Sequence, residues 1–190
     1  KVLILGGRGR IGLSVAKDLL THVDAELTLT GRQSEREQIE ILPGIFAKYL
    51  ALELENLEAL TLAIANVNLV IHCAGPFHYR DGKVLKVCIE KKVNYIDVSD
   101  HRSFYERAIE HREEALKAGI TAILNTGIFP GISNSMVCQG VEQLDKVEKI
   151  HLSYVVAGSG GAGITVMRTT FLGLRKAFTA WINGKWQQIL

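Results

Sequence analysis

The opening of the chain, KVLILGGRGRIGLSVAKDLL, constrains the fold more than any other stretch. Val2 to Leu5 is an uninterrupted apolar run, the pattern of a strand buried on both faces of a parallel sheet. Gly7, Gly9 and Gly12 follow as GxGxxG, and Ile11, Val15 and Leu19 then recur at helical spacing beside Ala16 and Leu20. Strand, glycine turn and helix in this order make a nucleotide-binding unit. The first glycine permits the tight turn, the second lets backbone approach a pyrophosphate, and the third lets the helix pack closely on the strand. The helix N-terminus then offers N–H groups and a partial positive charge to the anion. A glycine-rich structural turn is the plainer alternative, and the flanking strand and helix speak against it. Gly7, Arg8, Gly9, Arg10, Ile11 and Gly12 are therefore candidate cofactor-binding residues.

The second strand, expected at Glu26 to Thr30, bears on which cofactor is bound. An NAD-preferring enzyme carries an Asp or Glu about 20 residues beyond the glycines, on the ribose 2′-OH. Gly31 and Arg32 stand here instead. Nothing repels a 2′-phosphate, and Arg32 can meet it with a bidentate guanidinium fork, although a solvated surface charge is the plainer reading of that arginine. NADP is favoured, with NAD as the alternative. Ser34 and Glu37 fit a capping box, which predicts a helix start there, with Gln33 and Ser34 as further polar contacts.

Strand and helix continue to alternate. Strands are expected at Phe46 to Leu52, Asn68 to Cys73, Val93 to Val98 and Ile120 to Leu124. Helices are expected at Leu57 to Ala65, Val84 to Lys91 and Ser103 to Ala118, the last with a Ser103/Glu106 capping box and Gly119 at its end. This order implies an α/β fold, a Rossmann-type doubly wound parallel sheet with ligands outside the carboxyl ends of its strands. The loops to inspect read AGPFHYRDG, SDHRS and NTGIFPGISNS. Ala74, Gly75 and Pro76 are candidates to line the cofactor, and Phe77 can cover its ring; an ordinary Gly-Pro turn accounts for the same residues. Pro130 and Gly131 precede another helix start, with Ser133 and Asn134 as polar tips or simple caps.

At 190 residues and 47% hydrophobic content there is room for one nucleotide-binding domain and part of another. The net charge of +2 forms no basic stripe, so nucleic-acid and membrane-surface binding have little support. No apolar run approaches the roughly 20 residues of a membrane span. Cys73, Cys88 and Cys138 are odd in number and lack metal-ligand spacing, which fits reduced thiols and a cytoplasmic protein. No HxE, HExxH or CxxC pattern argues for a metal. The start on Lys1, inside a strand, leads to the expectation that residues precede it, a removed targeting segment among the alternatives.

GGRGRIG, the GR after the second strand, CAGPF, NYIDVSD and GIFPGISNSM together resemble the saccharopine dehydrogenase-like family of NAD(P)-dependent oxidoreductases. The resemblance covers most of the chain. It implies a Rossmann domain over 1–145 and, over 146–190, the beginning of a second α/β domain that carries substrate contacts and a homodimer interface. In that plan Lys149 to Val156 is a strand, GSGGAG a turn, Thr165 to Phe178 a helix and KWQQIL the next strand. The chemistry implied is hydride exchange at a C–N bond of a small amino-acid or polyamine-type substrate. Asp100 and His78 are the first candidates for catalysis, with Tyr79, Asp97 and His101 in the same loops. Asp97 is alternatively an acceptor for loop amides, and His72 a core residue. Two other readings stand beside this one. A short-chain or extended dehydrogenase would need YxxxK, whose letters Tyr79 and Lys83 match only across an Asp81-Gly82 turn. A non-catalytic NADP-binding sensor could lack a polar pocket at the nicotinamide, whereas an oxidoreductase could not.

Overall fold

The computed structural model describes residues 1–32, 37–155 and 177–189, with Met167 and Phe171. Two compact units divide the chain, Lys1–Tyr154 and Val155–Leu190.

The first unit is built around β1 (Val2–Leu5), whose four residues are all buried. Val2 and Ile4 pack into one core with Ala16 of α1 (Arg10–His22), while Leu3 and Leu5 pack into another on the opposite face. A strand with alternate residues committed to two cores must be apolar throughout, and VLIL is. Around it lie β2 (Leu27–Gly31), β3 (Gln38–Leu42), β4 (Ile45–Ala51), β5 (Leu69–His72), β6 (Asn94–Asp97) and β7 (Ala122–Ile123), in the order β3-β4-β2-β1-β5-β6-β7. All pairings are parallel except β3 with β4. Without β3 the order is that of the doubly wound nucleotide-binding sheet, reversing between β1 and β5, where ligands bind outside the carboxyl ends. Helices α2 (Leu57–Ile64) and α3 (Lys83–Lys91) bury Leu60, Ile64, Leu85, Val87 and Cys88 in the second core.

Three expectations are corrected. The capping box predicted a helix after Ser34; Ser34 itself lies outside the described residues, and from Gln38 the chain is an edge strand. QIEIL alternates in burial, and Pro43-Gly44, with Gly44 at φ 75°, turns it back onto β4. The long helix after Ser103 is two helices, α4 (Arg102–Ile109) and α5 (Arg112–Ala118). The Ser103 hydroxyl bonds to the His101 ring rather than capping a helix, and His111, pairing with Glu114 at 2.9 Å, starts the second helix. The expected strand from Lys149 is irregular through residue 155, for no strand among the described residues pairs with it.

Helix α6 (Ile132–Val141) begins after Gly131, whose amide bonds to the Asn134 side chain at 3.2 Å. In the second unit β8 (Phe178–Ile182) and β9 (Lys185–Ile189) form a hairpin across Asn183-Gly184, both left-handed. The GSGGAG turn and most of the predicted helix over Thr165 to Phe178 lie outside the described residues; at its end, Phe178 opens β8.

Candidate cofactor and active site

The glycine turn joins β1 to α1 in close contact with the first core. Gly9 N donates to the Gly6 carbonyl at 2.9 Å, and Gly6 N donates to Thr30 Oγ1 of β2 at 3.2 Å. Gly12 is buried, and a Cβ there would stand 2.5 Å from the Gly6 oxygen and 2.7 Å from Gly7 Cα. Only a residue with no side chain lets α1 seat over this turn. Gly9 caps α1 without a side-chain bond, so the first turn of the helix remains open to an anion. Arg8, Arg10 and Ile11 are exposed around it, Ile11 by 51%.

At the end of β2, Gly31 meets two other residues. A Cβ on Gly31 would lie 2.5 Å from the Tyr49 hydroxyl of β4 and 3.3 Å from Arg8 Cδ. The Arg8 guanidinium sits over the Tyr49 ring, 6.0 Å from its centroid. Tyr49 is buried, and its hydroxyl has no hydrogen-bond partner among the described residues. No carboxylate can occupy position 31 without displacing that hydroxyl. Arg32 follows, exposed to solvent. Glycines that admit close approach, an uncapped helix and an arginine beside Gly31 fit a dinucleotide carrying a 2′-phosphate. Arg8 was a candidate on sequence; Tyr49 was not, for only the parallel register of Leu29 with Tyr49 places it here.

The second half of the site follows β5. An ideal Cβ on Gly6 would come within 2.9 Å of the Ala74 nitrogen, so the glycine turn and the AGPF loop touch. Gly75-Pro76 is a cis peptide, and Phe77–Tyr79 forms a single 3-10 turn that buries Phe77 against His72 and Phe104. Two arginines hold this loop from behind. Arg80 Nε donates to the Ala74 carbonyl at 3.1 Å, and Arg107 Nε donates to the Arg80 carbonyl at 3.0 Å. His78 is thereby placed against His101: Nδ1 of the first lies 3.1 Å from Nε2 of the second. His101 Nδ1 in turn lies 2.9 Å from Ser103 Oγ. Burial lowers the pKa of His101 below the ordinary imidazole value, and the neighbouring His78 lowers it further.

Asp100 is exposed beside this pair, whereas Asp97 is fully buried. Asp97 Oδ1 accepts amides from Ser99 at 2.9 Å and Asn125 at 3.0 Å, and its main-chain carbonyl accepts the Thr126 hydroxyl at 2.7 Å. Of the two readings open for Asp97, the geometry is that of an acceptor for loop amides. Burial raises its pKa, against the opposing pull of those amides. His72 is buried too, its Nδ1 3.1 Å from the Tyr95 hydroxyl, and burial drives its pKa down to about 3. The hollow beside it, about 10 Å³, has room for one water at most. Lys83 Nζ is committed to Glu55 at 2.6 Å, on the first residue of α3, and Tyr79 belongs to the preceding turn, so the letters YxxxK do not make a helical pair.

Among the described residues, no three His, Cys, Asp or Glu groups are placed to hold a metal, and no helix is long and apolar enough to cross a membrane.

Residues 2–123 match the family described as saccharopine dehydrogenase NADP binding domain. Carboxynorspermidine synthase of Vibrio alginolyticus is 26% identical over 155 residues, 73% of this chain and 37% of that protein. The Vibrio cholerae protein of the same name is 24% identical over 151 residues, 71% of this chain and 36% of its own. This chain thus spans little more than a third of the length of these curated relatives. Among solved structures, apo saccharopine dehydrogenase (L-Glu forming) from Saccharomyces cerevisiae shares the fold, with a TM-score of 0.59 at 23% identity over 75% of this chain and 30% of that one. The matched segment runs from β1 to β7 and includes the glycine turn, Gly31 and the AGPF loop. The chain belongs to the saccharopine dehydrogenase NADP-binding domain family, and NADP is the cofactor that its site is built to hold.

Proposed function

We propose that the protein is an NADP-dependent oxidoreductase acting at a C–N bond of an amino-acid or polyamine-type substrate, with His78 managing the proton of the amine. The observation that carries this reading is the His78–His101–Ser103 chain, set on the loops after β5 and β6, the first of which touches the glycine turn at Ala74. The names of the relatives, a carboxynorspermidine synthase and a saccharopine dehydrogenase, support the substrate class.

When bound, the nicotinamide of NADP supplies or accepts the hydride. This chain's residues hold it and handle the proton. The N-terminus of α1 would meet the pyrophosphate, Arg8 and Arg32 would meet the 2′-phosphate, and Ala74 to Pro76 would give a wall to the inner half. Two hydrogen-bonding arrangements satisfy the histidine chain. In one, His78 Nδ1–H donates to His101 Nε2, His101 Nδ1–H donates to Ser103, and His78 Nε2 is a bare acceptor. In the other, Ser103 donates to His101 Nδ1, His101 Nε2–H donates to His78 Nδ1, and His78 Nε2 carries a proton it can give. The two arrangements hold the same number of protons, so a proton that His78 Nε2 takes from an amine is matched by one that the partly exposed Ser103 hydroxyl releases to solvent, and a proton returned to the amine is replaced along the reverse path. Asp100, exposed alongside, can hold the cationic amine near this pair.

The test is oxidation of NADPH by the purified protein with carbonyl and amine compounds offered separately and together. Turnover that requires both, and that falls in His78→Ala and Asp100→Ala, supports the proposal. Reduction of a carbonyl compound with no amine present, at the same rate, overturns it.

A further inference from the structure

We propose that Tyr49 sets the cofactor preference by carrying the Arg8 guanidinium beside Gly31, where the 2′-phosphate of NADP is recognised. Three separate elements meet at this point: the glycine turn supplies Arg8, the end of β2 supplies Gly31, and β4 supplies Tyr49. Tyr49 is buried near the carboxyl end of β4, paired in register with Leu29, so its ring is a fixed platform. Arg8 is exposed, and a long side chain loses rotamer freedom when it grips an anion. A ring that already holds the guanidinium at 6.0 Å removes part of that loss and adds cation–π attraction.

The hydroxyl does a second job. Among the described residues it makes no hydrogen bond. It fills the space beneath Gly31, 2.5 Å from where a Cβ would be, and so excludes the acidic side chain that would select NAD. The inference rests on the NADP-binding domain alone and is independent of the reaction proposed above.

The experiment is measurement of Kd for NADPH and for NADH, by cofactor fluorescence, on the unmodified chain and on Tyr49→Leu, Tyr49→Phe, Arg8→Ala and the Arg8→Ala/Tyr49→Leu double variant. NADH lacks the 2′-phosphate, so it reports damage to the fold. Tyr49→Leu is expected to weaken NADPH roughly two- to fivefold while leaving NADH unchanged. Tyr49→Phe keeps the ring and is expected to keep the ratio of the two affinities. In the Arg8→Ala background, loss of Tyr49 is expected to change the ratio no further. An unchanged ratio in Tyr49→Leu overturns the proposal, as does an equal drop with and without Arg8. If Tyr49→Leu binds neither cofactor, Tyr49→Met is read by the same two outcomes, its flexible chain filling the space without offering a ring.

Discussion

His78 Nδ1 and His101 Nε2 lie 3.1 Å apart, a spacing that holds one proton between two nitrogens and not two. The pair therefore resists double protonation. His101, already lowered by burial and by its neighbour, should titrate below the ordinary imidazole range in an NMR pH series. Replacing His78 by Ala should move His101 back up; an unmoved His101 would show that burial alone sets its value.

His72 makes stability depend on acid. Its folded pKa of about 3 lies below the ordinary imidazole value of 6.5, so between these pH values the unfolded chain binds the extra proton. Its stabilising contribution is complete above about pH 6.5 and is lost as pH falls toward 3. Asp97 has the opposite sign: its folded pKa is raised, so its carboxylate costs stability as pH rises through that value. Denaturant melts from pH 7 to 4 should show falling stability, less steeply in His72→Gln, which keeps a polar group for Tyr95.

Gly12→Ala should destabilise the fold by about 1–3 kcal/mol, since the new methyl meets backbone and not a flexible side chain. NADPH affinity should fall with it, because the same displacement moves the start of α1. Thermal melts and cofactor titration on one sample would check both, and a variant normal in both would show that the turn tolerates a side chain.

Arg32→Ala should weaken NADPH about tenfold and leave NADH unchanged, the size of one charge-assisted hydrogen bond. Parallel titrations with the two cofactors decide it. Equal affinities for both in the unmodified chain would remove the premise.

The cysteines should react unequally. Burial pushes the thiols of Cys73 and Cys88 up to about 12, leaving almost no thiolate at neutral pH, whereas Cys138 is exposed. Alkylation of the native protein followed by mass spectrometry should mark Cys138 alone, and all three after denaturation.

What the sequence made legible is what local pattern decides. VLIL, the three glycines and the apolar helix face placed β1 and α1 because each signal lies within a few residues of the structure it makes. Most of the other central strands were legible for the same reason, with ends displaced by a residue or two. The SxxE motif misled because a capping box is only a local preference, and pairing with β4 outweighs it in QIEIL. LPGI before β4 and NG before β9 were turn signals available to the eye. Tyr49 was not available: its meeting with Arg8 and Gly31 joins residues far apart in the chain through strand register. The arginines behind the AGPF loop were likewise hidden, since Arg107 reaches it from another helix.

The Asp97 carboxylate takes one amide from the loop after β6 and one from the loop after β7. The first of these loops leads into His101, and the second into the GIFPG segment that starts α6. The two loops are therefore tied to one buried carboxylate. Any change of sequence in one loop has to keep the other in place.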